Sequence, residues 1–189
     1  LLTHAAIIDQ FHQSYPAGAP IAAPPVDFDP GRYRNQAFFA HMYGDCRKGE
    51  VEKNLTTIQW LGHPVRVTRV NGVADALRAV SAEIAKLPPA LRAAAFPIAG
   101  VYACRSVADA GQPTMHAFAA AIDLNLKYSD YWLWDSRKNG AAGWRNRMPS
   151  EIVTIFERHG FIWGGRWYHY DTMHFEYRPE LLPQTPRPR

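Results

Sequence analysis

The sequence predicts an α+β fold: a single compact domain with a mainly antiparallel sheet of four to five strands and helices packed on it. Three observations carry this. The 189 residues, 47% of them apolar, suffice for one sizeable core. Segments of period two and of period 3.6 both occur among the apolar positions. They alternate irregularly, without the repeated strand–helix–strand rhythm that a parallel sheet requires.

Residues 1–34 read as an N-terminal helix followed by a proline-rich arm. Pro16, Pro20, Pro24, Pro25 and Pro30 stand there among small residues, and a fixed φ with no N–H favours an extended course. The core spans residues 35–178. Residues 57–61 and 64–70 are expected as two strands across a Gly62-His63 turn. Val65, Val67 and the aliphatic part of Arg69 alternate with Arg66 and Thr68, as in a half-buried strand. Val73, Leu77, Val80, Ile84 and Leu87 then define one face of a helix that Pro88 and Pro89 stop. Residues 98–103 and 118–124 read as further strands. Pro149 fits the first position of a helix whose buried stripe is Ile152, Ile155 and Phe156, and Gly160 fits its left-handed cap. Residues 173–178 form the last strand, and residues 179–189 a proline-rich tail.

Composition narrows the function classes. The net charge of +4 is mildly basic, and no Lys/Arg run marks a nucleic-acid footprint. No stretch approaches the ~18 consecutive apolar residues of a membrane span. The opening Leu1-Leu-Thr-His-Ala-Ala-Ile-Ile lacks a basic n-region and does not read as an intact signal peptide. Cys46 and Cys104 are the only cysteines, and they lack the C-x-x-C spacing of zinc ribbons and thioredoxin-type sites. In a secreted protein they could form one disulfide; in a cytosolic one they would be free thiols.

Four residues of the second half concentrate the chemistry. His116 and Asp123 lie in Thr114-Met-His116-Ala-Phe-Ala-Ala-Ala-Ile-Asp123, and Asp171 and His174 in Asp171-Thr-Met-His174-Phe-Glu176-Tyr177. Two imidazoles and a carboxylate form a three-ligand set that leaves a fourth metal position for water. Asp171 is then a spare carboxylate able to take that water's proton. Asp123 interrupts an apolar strand, where burial demands a strong partner. Alternation sets Ala119 and Ala121 on its face, leaving room above it. His174 and Glu176 share a face of the last strand, so Glu176 is placed to receive the second ring N–H of His174. Trp163-Gly-Gly-Arg-Trp167 reads as a glycine turn beside the site, with Trp163 available as a wall of the substrate cleft. His4, His12, His41, His63, His159 and His169 lack such neighbours and read as ordinary hydrogen-bonded histidines.

These motifs resemble the zinc D-Ala-D-Ala carboxypeptidase and L-Ala-D-Glu peptidase family, which includes vancomycin-resistance D,D-carboxypeptidases and several phage endolysins. The family pattern Ser-x-His-x-x-Gly-x-Ala-x-Asp is matched by Thr114-x-His116-x-x-Ala119-x-Ala121-x-Asp123, and its acidic-x-x-His by Asp171-x-x-His174. Its Tyr-Arg-Ser element corresponds to Cys104-Arg105-Ser106. The resemblance covers roughly residues 98–178. It departs at Thr114, at Cys104 and above all at Ala119, which would be strained if the family glycine needs positive φ.

The resemblance implies one zinc ion on His116, Asp123 and His174, with Asp171 as general base and acid. It implies that Arg105 grips a substrate carboxylate or the oxyanion; Arg105, Thr114 and Trp163 are expected to contact substrate. It further implies peptidoglycan stem peptides as substrate, action as a monomer, and a periplasmic or extracellular location at the cell wall. A phage endolysin would be cytoplasmic before release. Export would join Cys46 to Cys104. Two other readings stay open. One is a non-haem Fe(II) oxygenase, which also uses two histidines and a carboxylate. There one residue usually separates the first histidine from the acid, whereas six do here. The other is a cell-wall-binding module of peptidase-like fold without turnover.

Overall fold

The computed structural model describes residues 5–104, 113–134 and 143–183. The fold is α+β, as expected, but its five described strands divide between two antiparallel sheets rather than forming one. Strand β1 (Leu55–Trp60) pairs with β2 (His63–Thr68) in a two-stranded hairpin. Strands β3 (Ala121–Asp123), β4 (Phe161–Trp163) and β5 (His174–Tyr177) form the second sheet, with β5 central. Strand β4 lies outside the strands expected from the sequence.

The hairpin turns at Leu61-Gly62, one residue earlier than expected. Both residues have positive φ, 48° and 87°, which suits the right-handed twist of the flanking strands. Arg69 falls outside β2 and is exposed. Helix α1 (Gln36–Tyr43) starts at Asn35, whose side chain accepts from Phe38 N. Helix α2 (Val73–Ile84) buries the expected stripe of Val73, Leu77, Val80 and Ile84. Pro89 opens a short helix, α3 (Pro89–Arg92). Helix α4 (Ser150–Arg158) follows Pro149, which is its N-cap rather than its first residue, and Gly160 beyond it has φ +90°. A Cβ at Gly160 would lie 2.7 Å from the Tyr177 ring, so the close approach of β5 also requires glycine there.

Two expected strands need correction. Residues 98–103 form no strand; Gly100 alone bridges to Asp123. Of residues 118–124 only Ala121–Asp123 are strand, because Met115–Phe118 coil into a 3-10 turn first. Local apolar content could not separate that buried turn from a buried strand.

The main core lies where α2 and α4 cover the sheets. Phe156 of α4 stacks on Phe175 of β5 at 4.0 Å and is tilted against Trp60 of β1. The proline-rich segment packs against α4 and β4: Tyr15 Oη donates to Glu157 and accepts from Trp163 N. Tyr15 also forms a smaller cluster with Ile162 and Trp167, and the Pro30 carbonyl accepts from Trp167 Nε1 at 2.7 Å.

Candidate metal centre

His116 sits in the 3-10 turn of Met115–Phe118, and the turn is buried throughout. Its Nδ1 lies 2.7 Å from the Val101 carbonyl. A carbonyl only accepts, so Nδ1 carries the proton and Nε2 keeps its lone pair. Ala119 ends this turn at φ +53°, ψ 32°, and its N–H donates to the His116 carbonyl. This is the left-handed conformation that the family glycine would take freely and that costs an L-residue about 1–2 kcal/mol. Alanine nevertheless holds it, fully buried. Ala119 therefore lies outside β3, and only Ala121 shares the face of Asp123 within that strand.

Register supplies the remaining geometry. Asp123 stands opposite His174, and Ala121 opposite Glu176. The small Ala121 leaves room for the Glu176 carboxylate, while Phe175 points into the core against Phe156 and Trp163. Asp123 Oδ1 is 3.1 Å from His116 Nε2 and 3.0 Å from His174 Nδ1, and the two nitrogens are 3.2 Å apart. His174 Nε2 lies 3.0 Å from Glu176 Oε2. A carboxylate there accepts from Nε2–H, so in the neutral ring Nδ1 carries the lone pair facing Asp123 and His116.

His116, Asp123 and His174 thus form a triangle that could hold a metal ion. A tetrahedral zinc with bonds of about 2.0–2.1 Å separates its donors by roughly 3.3 Å, close to the three edges seen. The donor chemistry and both tautomers fit.

The field at the triangle favours a cation. Burial raises the Asp123 carboxyl and lowers the His174 imidazole, but their mutual contacts prevail. The histidines hold Asp123 well below the usual carboxylate range, and Asp123 with Glu176 lifts His174 to about 10. Asp171 behaves oppositely: burial and then the Asp123 charge raise it to about 6. Its Oδ1 is buried with no hydrogen-bond partner among the described residues. Its backbone is anchored, since Asp171 N donates to Gly164 O and Asp171 O accepts from His174 N.

Other expected site residues fall differently. Arg105 lies outside the described residues, as do Ser106 and Asp109. Thr114 Oγ1, two residues before His116, is buried without a partner among the described residues. Trp163 forms no cleft wall: it is fully buried, stacked on Phe175, with Nε1 donating to the Thr172 carbonyl. The glycines explain this. A Cβ at Gly165 would lie 2.1 Å from the Trp163 ring, so their role is to admit the indole beneath the turn. Sequence reasoning missed the residues behind the triangle, Arg34 and Arg178, which both contact Glu176. Arg178 shares the face of Glu176 two residues on, a signal that was available; Arg34 carries none.

Two imidazoles and a carboxylate, with a further carboxylate whose buried Oδ1 has no partner among the described residues, are the parts of a metal-dependent hydrolase. Residues 108–177 match the family model described as D-alanyl-D-alanine carboxypeptidase. That segment holds His116, Asp123, Asp171 and His174, so the resemblance is borne out, and it supports a metallopeptidase at the level of the family. Neither a curated protein nor a solved structure matches the chain.

Proposed function

We propose that the protein is a zinc peptidase that hydrolyses an amide bond in peptidoglycan stem peptides. The observation that carries this reading is the donor triangle, with edges of 3.0, 3.1 and 3.2 Å, beside the unpartnered Asp171 Oδ1. His116 Nε2, Asp123 Oδ1 and His174 Nδ1 would hold the ion. When bound, zinc supplies Lewis acidity that brings a water's pKa from about 15.7 to about 7.

The chain's own residues do the rest. Asp171 takes the water's proton on Oδ1 and delivers it to the departing amine; a carboxyl raised toward neutrality suits both steps. Glu176 and Val101 hold the two imidazoles with their ligating nitrogens inward. Thr114 is assigned from its motif to substrate contact; its Oγ1 is buried with no hydrogen-bond partner among the described residues. Arg105 is assigned from its motif to the oxyanion or a substrate carboxylate, which suits its two-pronged donor. The Cys46–Cys104 disulfide is consistent with action outside the cytoplasm, and no described helix is long and apolar enough to cross a membrane.

The test is digestion of purified peptidoglycan followed by mass spectrometry. Release of D-alanine identifies a D,D-carboxypeptidase, and cleavage between L-Ala and D-Glu an endopeptidase. Activity should vanish with a chelator and return with zinc. His116→Ala, Asp123→Ala and His174→Ala should each lose both zinc and activity. A zinc-loaded protein that releases no fragment would overturn the reading, and full zinc occupancy in one variant would remove that residue from the ligand set.

A further inference from the structure

Glu176 is fully buried, and both of its oxygens are engaged. Oε1 accepts from Arg178 Nη1 at 3.1 Å, while Oε2 meets His174 Nε2 at 3.0 Å and Arg34 Nη1 at 3.3 Å. The two arginines differ in what else binds them. Arg178 also donates to Gly31 O and Glu180, and its guanidinium lies over the Phe39 ring. Arg34 comes from the N-terminal segment, outside the matched residues 108–177. Glu176 is the partner it shows, and its Nε is buried without one among the described residues. Asn35 next to it caps α1, which fixes the backbone from which Arg34 reaches inward. A large, nearly buried cation with an unsatisfied donor is costly to retain for packing alone.

We propose that Arg34 is a positioning residue of the metal centre, holding Glu176 Oε2 at His174 Nε2 so that His174 Nδ1 stays turned toward Asp123 and His116. Without it, Glu176 is drawn by Arg178 through the opposite oxygen, its carboxylate is free to rotate, and His174 loses the partner that sets its tautomer. The N-terminal segment thereby becomes part of the site. This inference rests on the zinc reading above.

The test measures zinc affinity by competition with a chromophoric chelator, and the visible spectrum of the cobalt-substituted protein. Arg34→Met should weaken zinc binding roughly 10–100-fold, as loss of such outer contacts does, and alter the cobalt spectrum. Arg34→Lys should recover part of the affinity, because charge survives without the fork. Should Arg34→Met not fold, Arg34→Gln keeps bulk and a neutral donor and carries the same expectation. A merely structural arginine would lower the melting temperature of the metal-free variant but leave its zinc affinity and cobalt spectrum at wild-type values. That outcome, with wild-type protein binding one zinc, overturns this proposal alone. Wild-type protein that binds no zinc overturns the zinc reading and this inference with it.

Discussion

At Asp171 burial and the Asp123 charge act in the same direction, lifting the carboxyl to about 6. Its native pKa then exceeds the unfolded value of about 3.9, so between the two the folded state keeps a proton that the unfolded chain releases. Ionisation therefore costs stability: nothing well below pH 4, and in full above about pH 6. Asp171→Asn removes that cost. In chelator, its melting temperature should exceed that of wild type above pH 6, and the difference should shrink toward pH 4. A gain that does not vary with pH would mean that Asp171 is not raised. With zinc restored, the same variant should keep the metal and lose roughly 10²–10⁴ in kcat, as expected for a missing general acid–base. The spacing Asp171-x-x-His174 was legible as chemistry. The desolvation that suits Asp171 to it was not, because neighbours distant in sequence create it.

Among the elements, the turn Gly164–Arg166 links core to site. Gly164 O accepts from Asp171 N, and a Cβ on Gly164 would lie 2.5 Å from the Asp171 carbonyl oxygen and 3.0 Å from the Trp167 ring. Backbone cannot yield as a side-chain tip can, so Gly164→Ala must push the Asp171 segment away. A loss of about 2 kcal/mol, within the range for overpacking, is expected as a lower denaturation midpoint, together with slower turnover at full zinc occupancy. Wild-type stability and turnover would show that the turn and Asp171 move independently. Periodicity exposed α2 and the apolar stripe of α4, where one face meets one core. It failed for residues 98–103 and 118–120, where the chain makes a single bridge or ends a tight turn and apolar content reflects burial from all sides. The conditional expectation at Ala119 did hold: the position is left-handed.

Across the molecule, the disulfide and the N-terminal segment tie distant parts of the chain to the site. Cys46, just beyond α1, joins Cys104, which closely follows Val101, the partner of His116. The sequence separation is 58 residues, and closing such a loop contributes about 4 kcal/mol in the chain-entropy model. The double variant Cys46→Ser/Cys104→Ser should therefore melt roughly 8–16 °C lower than the oxidised protein. Reductant should lower the wild-type melting temperature similarly. An unchanged melting temperature in both experiments would show that the bridge restrains nothing. In the N-terminal segment, Asp29 accepts from His169 N and pairs with its Nδ1 at 2.6 Å, while Arg32 donates to the His169 carbonyl. The proline-rich segment thus braces the loop that leads to Asp171.

The sequence by itself determined the candidate ligand types, their spacing, the α+β class and the residue at which the family pattern strains. These are properties of short segments, readable from period and residue chemistry. Tertiary structure alone decided that two sheets form rather than one, that Trp163 fills the core, and that Arg34 reaches Glu176. Each depends on which surfaces meet. The antiparallel register brings Asp123 opposite His174, and Arg34 reaches Glu176 from 142 residues away. No local pattern encodes a contact whose partner lies that far along the chain.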